Sequence, residues 1–198
     1  MVKRTPSIST TDLVGRMLLC TRTHFIKSLE KVLSGLEGSG TEDERKALGR
    51  EMTERIRSYS ADQTGLNPGV DVCFWSTSES AGKWHTEEDV GTFRAICHGA
   101  GPKPGQRIIY LDGGFDLFSS GHIEFLRQVI KTEEKVGEEK GWYNAEAIQE
   151  RGKGDDYGPA FVVAGIHNDE VINDWKGVNY PIMNIYERGL CVLQCKVG

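Results

Sequence analysis

A short apolar run, Arg107-Ile-Ile-Tyr110, passes through Leu111 and Asp112 into two consecutive glycines, and Ser-Ser-Gly-His122 then opens a helical pattern. No other stretch restricts the fold so tightly. The apolar residues predict a buried strand over 107–112, and the spacing after Ser119 predicts a helix from about 120 to 138. A strand, a glycine turn and a helix start aim backbone N–H groups and the positive end of the helix dipole at one point, which suits a phosphate. His122, in the first helical turn, adds a side-chain donor there.

A second apolar run, Ala160-Phe-Val-Val-Ala-Gly-Ile166, is continuous rather than alternating, as buried parallel strands are. Strand, helix and strand predict a right-handed βαβ unit. The Glu-, Lys-, Gly- and Asp-rich stretch 132–159 between them reads as a surface insertion. A last helix is expected from about Met183, with Asn184 as cap and Glu187 three residues on. Open α/β sheets hold about four to six strands. Residues 107–198 supply two, so the fold class is α/β with an incomplete parallel sheet.

The remaining sequence narrows the classes of function. Of 198 residues, 38% are hydrophobic and 27% charged, the balance of a soluble globular protein. A net charge of -5 offers no basic surface for tracking nucleic-acid phosphates. No apolar run approaches the roughly 20 residues that span a bilayer, and Met-Val-Lys-Arg-Thr-Pro lacks the apolar core of a signal peptide. The five cysteines are scattered, with no C-x-x-C pair, so neither a disulfide framework nor a zinc site is expected and a cytoplasmic setting fits. Cys191 and Cys195, one turn apart, read as buried helix positions.

The other segments read less sharply. Hydroxyls before Leu13-Val-Gly-Arg-Met-Leu-Leu19 mark a helix start, with Thr10, Thr11 or Asp12 as the cap. Residues 37–105 carry Gly-Ser-Gly, the charge-dense Thr41-Glu-Asp-Glu-Arg45 and a closing Gly101-Pro-Lys-Pro-Gly105, the pattern of a linker with short helices such as 44–59. His24, His85 and His98 have no partner at ligand spacing and read as surface residues.

Asp112-Gly-Gly-Phe-Asp-Leu-Phe-Ser-Ser-Gly-His122 resembles the His-x-Gly-His region of cytidylyltransferases. Asn179-Tyr-Pro-Ile-Met-Asn184 followed by Glu187-Arg188 is similar to the second domain of the ethanolamine-phosphate cytidylyltransferases. Near the N-terminus, Arg4-Thr-Pro-Ser-Ile-Ser-Thr-Thr11 resembles the Arg-Thr-x-Gly-x-Ser-Thr-Thr motif that ends the first domain of that family. The resemblance implies a Rossmann-like nucleotidyltransferase fold cut at both ends. Residues 1–36 would close a first domain, 37–105 would link, and 106–198 would begin a second. Such a slice is expected to be inactive alone and marginally folded.

The resemblance also implies a reaction: the phosphate of phosphoethanolamine attacks the α-phosphorus of CTP and releases pyrophosphate, on the route to phosphatidylethanolamine. Gly114, Phe115, Ser119, Gly121 and His122 would cradle the nucleotide phosphates, with Arg188 as a further contact. Arg4, Ser9, Thr10 and Thr11 would do the same from the N-terminal motif. His122 and Lys176 would be catalytic, Asp116 and His167 would line the substrate, and Mg2+ would arrive with CTP rather than on protein ligands. A homodimer is compatible with such a domain. Each role has a plainer counterpart: His122 as a cap, Lys176 as a solvated loop residue, Asp116 as a turn former, Arg188 as the ion-pair partner of Glu187. One departure matters chemically. Ser119 stands where the first histidine of His-x-Gly-His belongs, which favours the alternative of a non-catalytic, structural or regulatory domain.

Overall fold

The strand, turn and helix expected around Gly114 are present, and they organise one of two units into which the chain divides. The structure, a computed structural model, describes residues 9–19, 23–67, 69–76, 91–150 and 157–195. In chain order the elements are α1 (Thr10–Met17), α2 (Leu29–Leu33), α3 (Glu42–Ser60), β1 (Val72–Ser76), β2 (Thr92–Cys97) and β3 (Gln106–Gly113). These are followed by α4 (Ser120–Glu139), α5 (Ala145–Glu150), β4 (Tyr157–Ile166), α6 (Asp169–Lys176) and α7 (Ile185–Gln194). Residues 1–29 and 102–198 make one unit, and 30–101 the other.

In the first unit, β3 and β4 pair in parallel, with Ile109 opposite Val162, Leu111 opposite Ala164 and Gly113 opposite Ile166. Strand residues alternate between two faces. Leu111 is buried, whereas Ile108 and Tyr110 point the other way and are exposed. On the buried side, Leu126 of α4 and Phe115 of the turn close a small core with Leu111, against Val129, Val162 and Ile166. This is the parallel α/β class expected from sequence, reduced to a pair of strands. Ile123, Leu126 and Ile130 recur at helical spacing along α4.

The stretch read as an insertion is partly helix. Glu and Lys are good helix formers, and α4 runs on through Glu139. It ends beside Tyr143, whose ring lies where a Cβ on Gly137 would be, 2.6 Å from its nearest atom. Asn184 and Glu187 form the expected capping box of α7. At α1 the cap is Ser9, whose hydroxyl accepts the Asp12 N–H at 3.0 Å, rather than Thr10, Thr11 or Asp12. Cys191 and Cys195 are half-buried, not fully inside.

The segment read as a linker is a compact unit of its own. A Thr41–Glu44 capping box starts the 19-residue α3, which extends the helix expected over 44–59 by two residues at its start and one at its end. Gly49 lets the carbonyl of Leu33 approach so closely that a Cβ there would sit 2.3 Å from it. Met52 and Ile56 are buried, and β1 and β2 form an antiparallel pair. Among the described residues no helix is long and apolar enough to cross a membrane.

After α3, Asp62 organises a tight loop. Its carboxylate accepts the Thr64 N–H at 3.0 Å, the Thr64 hydroxyl at 2.6 Å and the Asn67 side-chain amide at 3.2 Å. The Thr64 hydroxyl is the largest of the influences that hold its pKa down, from 3.8 to about 2. A folded pKa below the unfolded one gives stability that is present above the unfolded value and lost on acidification. The loop is therefore expected to keep its order as pH falls through 4 and to loosen toward 2. Following the Thr64 amide by NMR through an acid titration should give a midpoint near 2; a midpoint near 4 would contradict the loop geometry.

Candidate phosphate-facing site

Residues 113–122 build a turn that few side chains would permit. A Cβ on Gly114 would lie 3.3 Å from Ile172 Cδ1 of α6, and one on Gly113 3.3 Å from the Phe115 ring. The two glycines thus let bare backbone press against its neighbours at the C-terminal end of β3. Phe115 and Leu117 then adopt left-handed backbone, with φ of 52° and 46°, each at a cost of about 1–3 kcal/mol. Burial of the Phe115 ring in the core holds that conformation.

Asp116 fixes the outer side of the turn. Its carboxylate accepts the N–H groups of Ile182 at 2.7 Å, Met183 at 2.8 Å and Leu117 at 3.0 Å. Expected at the substrate, Asp116 instead spends its oxygens on backbone and ties the turn to the 182–183 loop. Sequence reading offered turn former as its plainer role, and the geometry bears that role.

His122 is held for donation. The backbone N–H of Ser119 points at its Nδ1, 3.1 Å away, and the Ser119 hydroxyl lies 3.2 Å from the same atom. A nitrogen that accepts a backbone N–H carries no proton of its own, so in the neutral ring the proton sits on Nε2. The ring stacks on Phe118 at 5.3 Å and 13°, and lies 5.8 Å from Phe115. Gly121, in the same helical turn, is exposed and has only the Ser119 hydroxyl near its missing side chain, at 3.6 Å. A fixed Nε2–H and open helix-start backbone together form a donor surface for an anion.

Arg188 occupies a different position from the one expected. It is fully buried, and its Nε donates to the Met183 carbonyl, Nη1 to the Gly114 carbonyl, and Nη2 to the His167 carbonyl and to Asp169 Oδ1. It pairs with Asp169 at 2.7 Å, not with Glu187, which takes Arg16 instead at 2.6 Å. The guanidinium thus braces the ends of both strands from within. Burial pushes the Asp169 carboxyl above the usual carboxylate range, opposed by the donors of Ile26 and Arg188.

The other expected residues fall at varied distances from the turn. His167 follows β4 directly; its N–H donates to the Gly113 carbonyl at 3.1 Å, and its ring lies 5.6 Å from Trp175. Its Nε2 is 3.7 Å from Asp112 Oδ2, too long for a hydrogen bond. Lys176 is exposed, with its ammonium 5.8 Å from the centre of the Tyr180 ring. Thr10 and Thr11 are exposed at the start of α1, beside the cap Ser9, and Arg4 lies outside the described residues. His24 is not a free surface residue, since its Nε2 meets the Pro181 carbonyl at 2.9 Å. His85 lies outside the described residues. Among the described residues, no three carboxylate, imidazole or thiol side chains converge as a metal would require.

Over 98% of its length the chain is 34% identical to the ethanolamine-phosphate cytidylyltransferase of Dictyostelium discoideum. It is 32% identical to those of Mus musculus and Arabidopsis thaliana over the same share. Its kinship is with the ethanolamine-phosphate cytidylyltransferases. The chain spans 39% of the length of the first two relatives and 34% of the third. No family model matches it.

Sequence reasoning passed over Asp169 and Arg16, the partner of Glu187. A signal for Arg16 was available: it lies three residues after Leu13, on the helix side that turns inward. Asp169 looked like an ordinary acidic residue of a first helical turn. Nitrogen-detected NMR of His122 should find the neutral ring protonated on Nε2, and Ser119→Ala should leave that tautomer unchanged because the backbone N–H still occupies Nδ1. A proton on Nδ1 would contradict this arrangement.

Proposed function

We propose that this chain supplies a nucleotide-phosphate site to a cytidylyltransferase of the ethanolamine-phosphate type, which makes CDP-ethanolamine and pyrophosphate from CTP and phosphoethanolamine. The observation that carries the reading is His122, with its Nδ1 occupied by Ser119 and, among the described residues, no partner on its Nε2, beside an open helix start. The names of the relatives support the same substrates. A cytoplasmic reaction is part of the proposal.

In this reading a phosphate oxygen of phosphoethanolamine attacks the α-phosphorus of CTP in line, and the bond to pyrophosphate breaks. No covalent enzyme intermediate forms. Negative charge moves onto the leaving and equatorial oxygens, so fixed donors do the catalysis by positioning and electrostatics. His122 donates from Nε2, and Lys176 adds a cation from an exposed arm. Gly114, Phe115 and Gly121 contribute backbone around the phosphates. Arg188 and Asp116 act at one remove, by keeping the turn in shape. Mg2+ would neutralise triphosphate charge when bound, carried by the phosphate oxygens and water in this reading.

Ser119 favours a second reading, in which the site binds nucleotide without turning it over. Serine caps α4 and touches His122, but its hydroxyl cannot present an imidazolium's charge to the departing pyrophosphate.

Calorimetric titration of the chain with CTP and Mg2+ tests the shared part of both readings: binding is expected, and no binding would remove them. Where CDP-ethanolamine forms, His122→Ala should slow its formation about 10²–10³-fold. Binding without turnover, strengthened by Ser119→His, would support the second reading over the first.

A further inference from the structure

The N-terminal segment is bound to the same unit by an unusual set of contacts. Val14, Met17 and Leu18 of α1 and its end are 52%, 52% and 68% exposed, so apolar burial does little to hold this helix. Directional polar bonds hold it instead. Arg16 forks onto both oxygens of Glu187, at 2.6 and 3.0 Å, and donates to the Ile182 carbonyl at 3.0 Å. His24 meets the Pro181 carbonyl, and the Ile26 N–H donates to Asp169 Oδ2 at 2.8 Å.

Asp169 is where these contacts reach the site. Its other oxygen receives Arg188 Nη2, and the same rigid guanidinium holds the Gly114 carbonyl at 2.6 Å and the His167 carbonyl at 2.7 Å. A planar guanidinium moves as one body. Whatever shifts Asp169 therefore shifts the donors that brace both strand ends. Asp169 is 2% exposed and Arg188 0%, so water cannot replace a lost partner without opening the site.

We infer that the stretches Ser9–Leu19 and Thr23–Ile26 form a strap that sets the shape of the phosphate-facing turn, with the Ile26 N–H, Asp169 and Arg188 as its positioning relay. Docked, the strap keeps Gly114 and His167 at fixed separation; released, it lets the turn relax and anion affinity fall. The ligand arm of this inference rests on the proposed nucleotide site, and its structural arm does not.

The decisive comparison is Ile26→Pro against Ile26→Ala in the whole chain. Both lose the isoleucine side chain, but only proline lacks the N–H that Asp169 accepts. Titrated with CTP and Mg2+ where each variant is fully folded, Ile26→Pro should bind on the order of tenfold more weakly or worse, and Ile26→Ala as wild type does. Amide exchange at His167, whose N–H rests on the Gly113 carbonyl, should speed up in the proline variant alone. Arg16→Met, which frees the strap at its other end, should shift both readouts the same way. Unchanged CTP affinity and unchanged exchange in Ile26→Pro overturn the strap, as does an equal loss in Ile26→Ala. If wild type binds no CTP, the proposed function fails, and the exchange at His167 still decides for or against the strap.

Discussion

A single buried guanidinium, that of Arg188, holds the phosphate-facing end of the molecule together. Moving a cation out of water costs several kcal/mol even after relaxation, so such a group persists only when nearly all its donors are used. Here four N–H···O bonds, one of them to a carboxylate, meet that condition. Three of the acceptors are backbone carbonyls from different parts of the chain: the turn after β3, the residue after β4, and the entry to α7. The arginine thus does for this edge of the sheet what further strands would do elsewhere: it fixes the strand ends relative to each other.

That role explains why the turn itself can be strained. Left-handed backbone at Phe115 and Leu117 is unfavourable, and nothing local rewards it. The strain is carried by the Phe115 ring in the core on one side and by Asp116 and Arg188 on the other. A turn shaped in advance does not have to be ordered by its ligand, and that saving appears as affinity. The carboxylate and the guanidinium are both turned inward, so neither spends charge on the ligand. In the proposed reading, direct contact would fall to His122, to bare backbone and to the exposed Lys176.

The fold of this edge was legible in the sequence because it depends on local patterns. Two apolar runs, a glycine pair and the Asn184–Glu187 cap gave β3, β4, the turn and α7 nearly to the residue. The second unit was not legible: its charge-dense opening looked like a solvated linker, although Thr41 and Glu44 formed a capping signal that marks a long helix. At the site, the glycine pair was read as a turn, which is present, and His122 stands in the first turn of α4 as expected. Asp116 and Arg188 were placed on the ligand because charge near a phosphate motif invites that reading. The partners that tie them to the turn and to the 182–183 loop lie 66 to 74 residues away in sequence, and no local spacing reports which distant carbonyl or amide a charged side chain will meet.

Ser119 shows the limit of reading chemistry from a motif's gaps. Measured by what it removes, it takes an imidazole from the anion site. Measured by what it does, it places a backbone N–H and a hydroxyl on His122 Nδ1 and so fixes which nitrogen carries the proton. A second histidine there would keep the backbone N–H but replace the hydroxyl with a ring that competes for space beside Phe118, on which His122 stacks. The substitution therefore exchanges a second charged donor for a hydroxyl on Nδ1, while the backbone N–H that fixes the tautomer is the same for either residue. A site that only needs to hold a phosphate loses little by that exchange. One that must also neutralise a departing pyrophosphate loses a charge where charge accumulates.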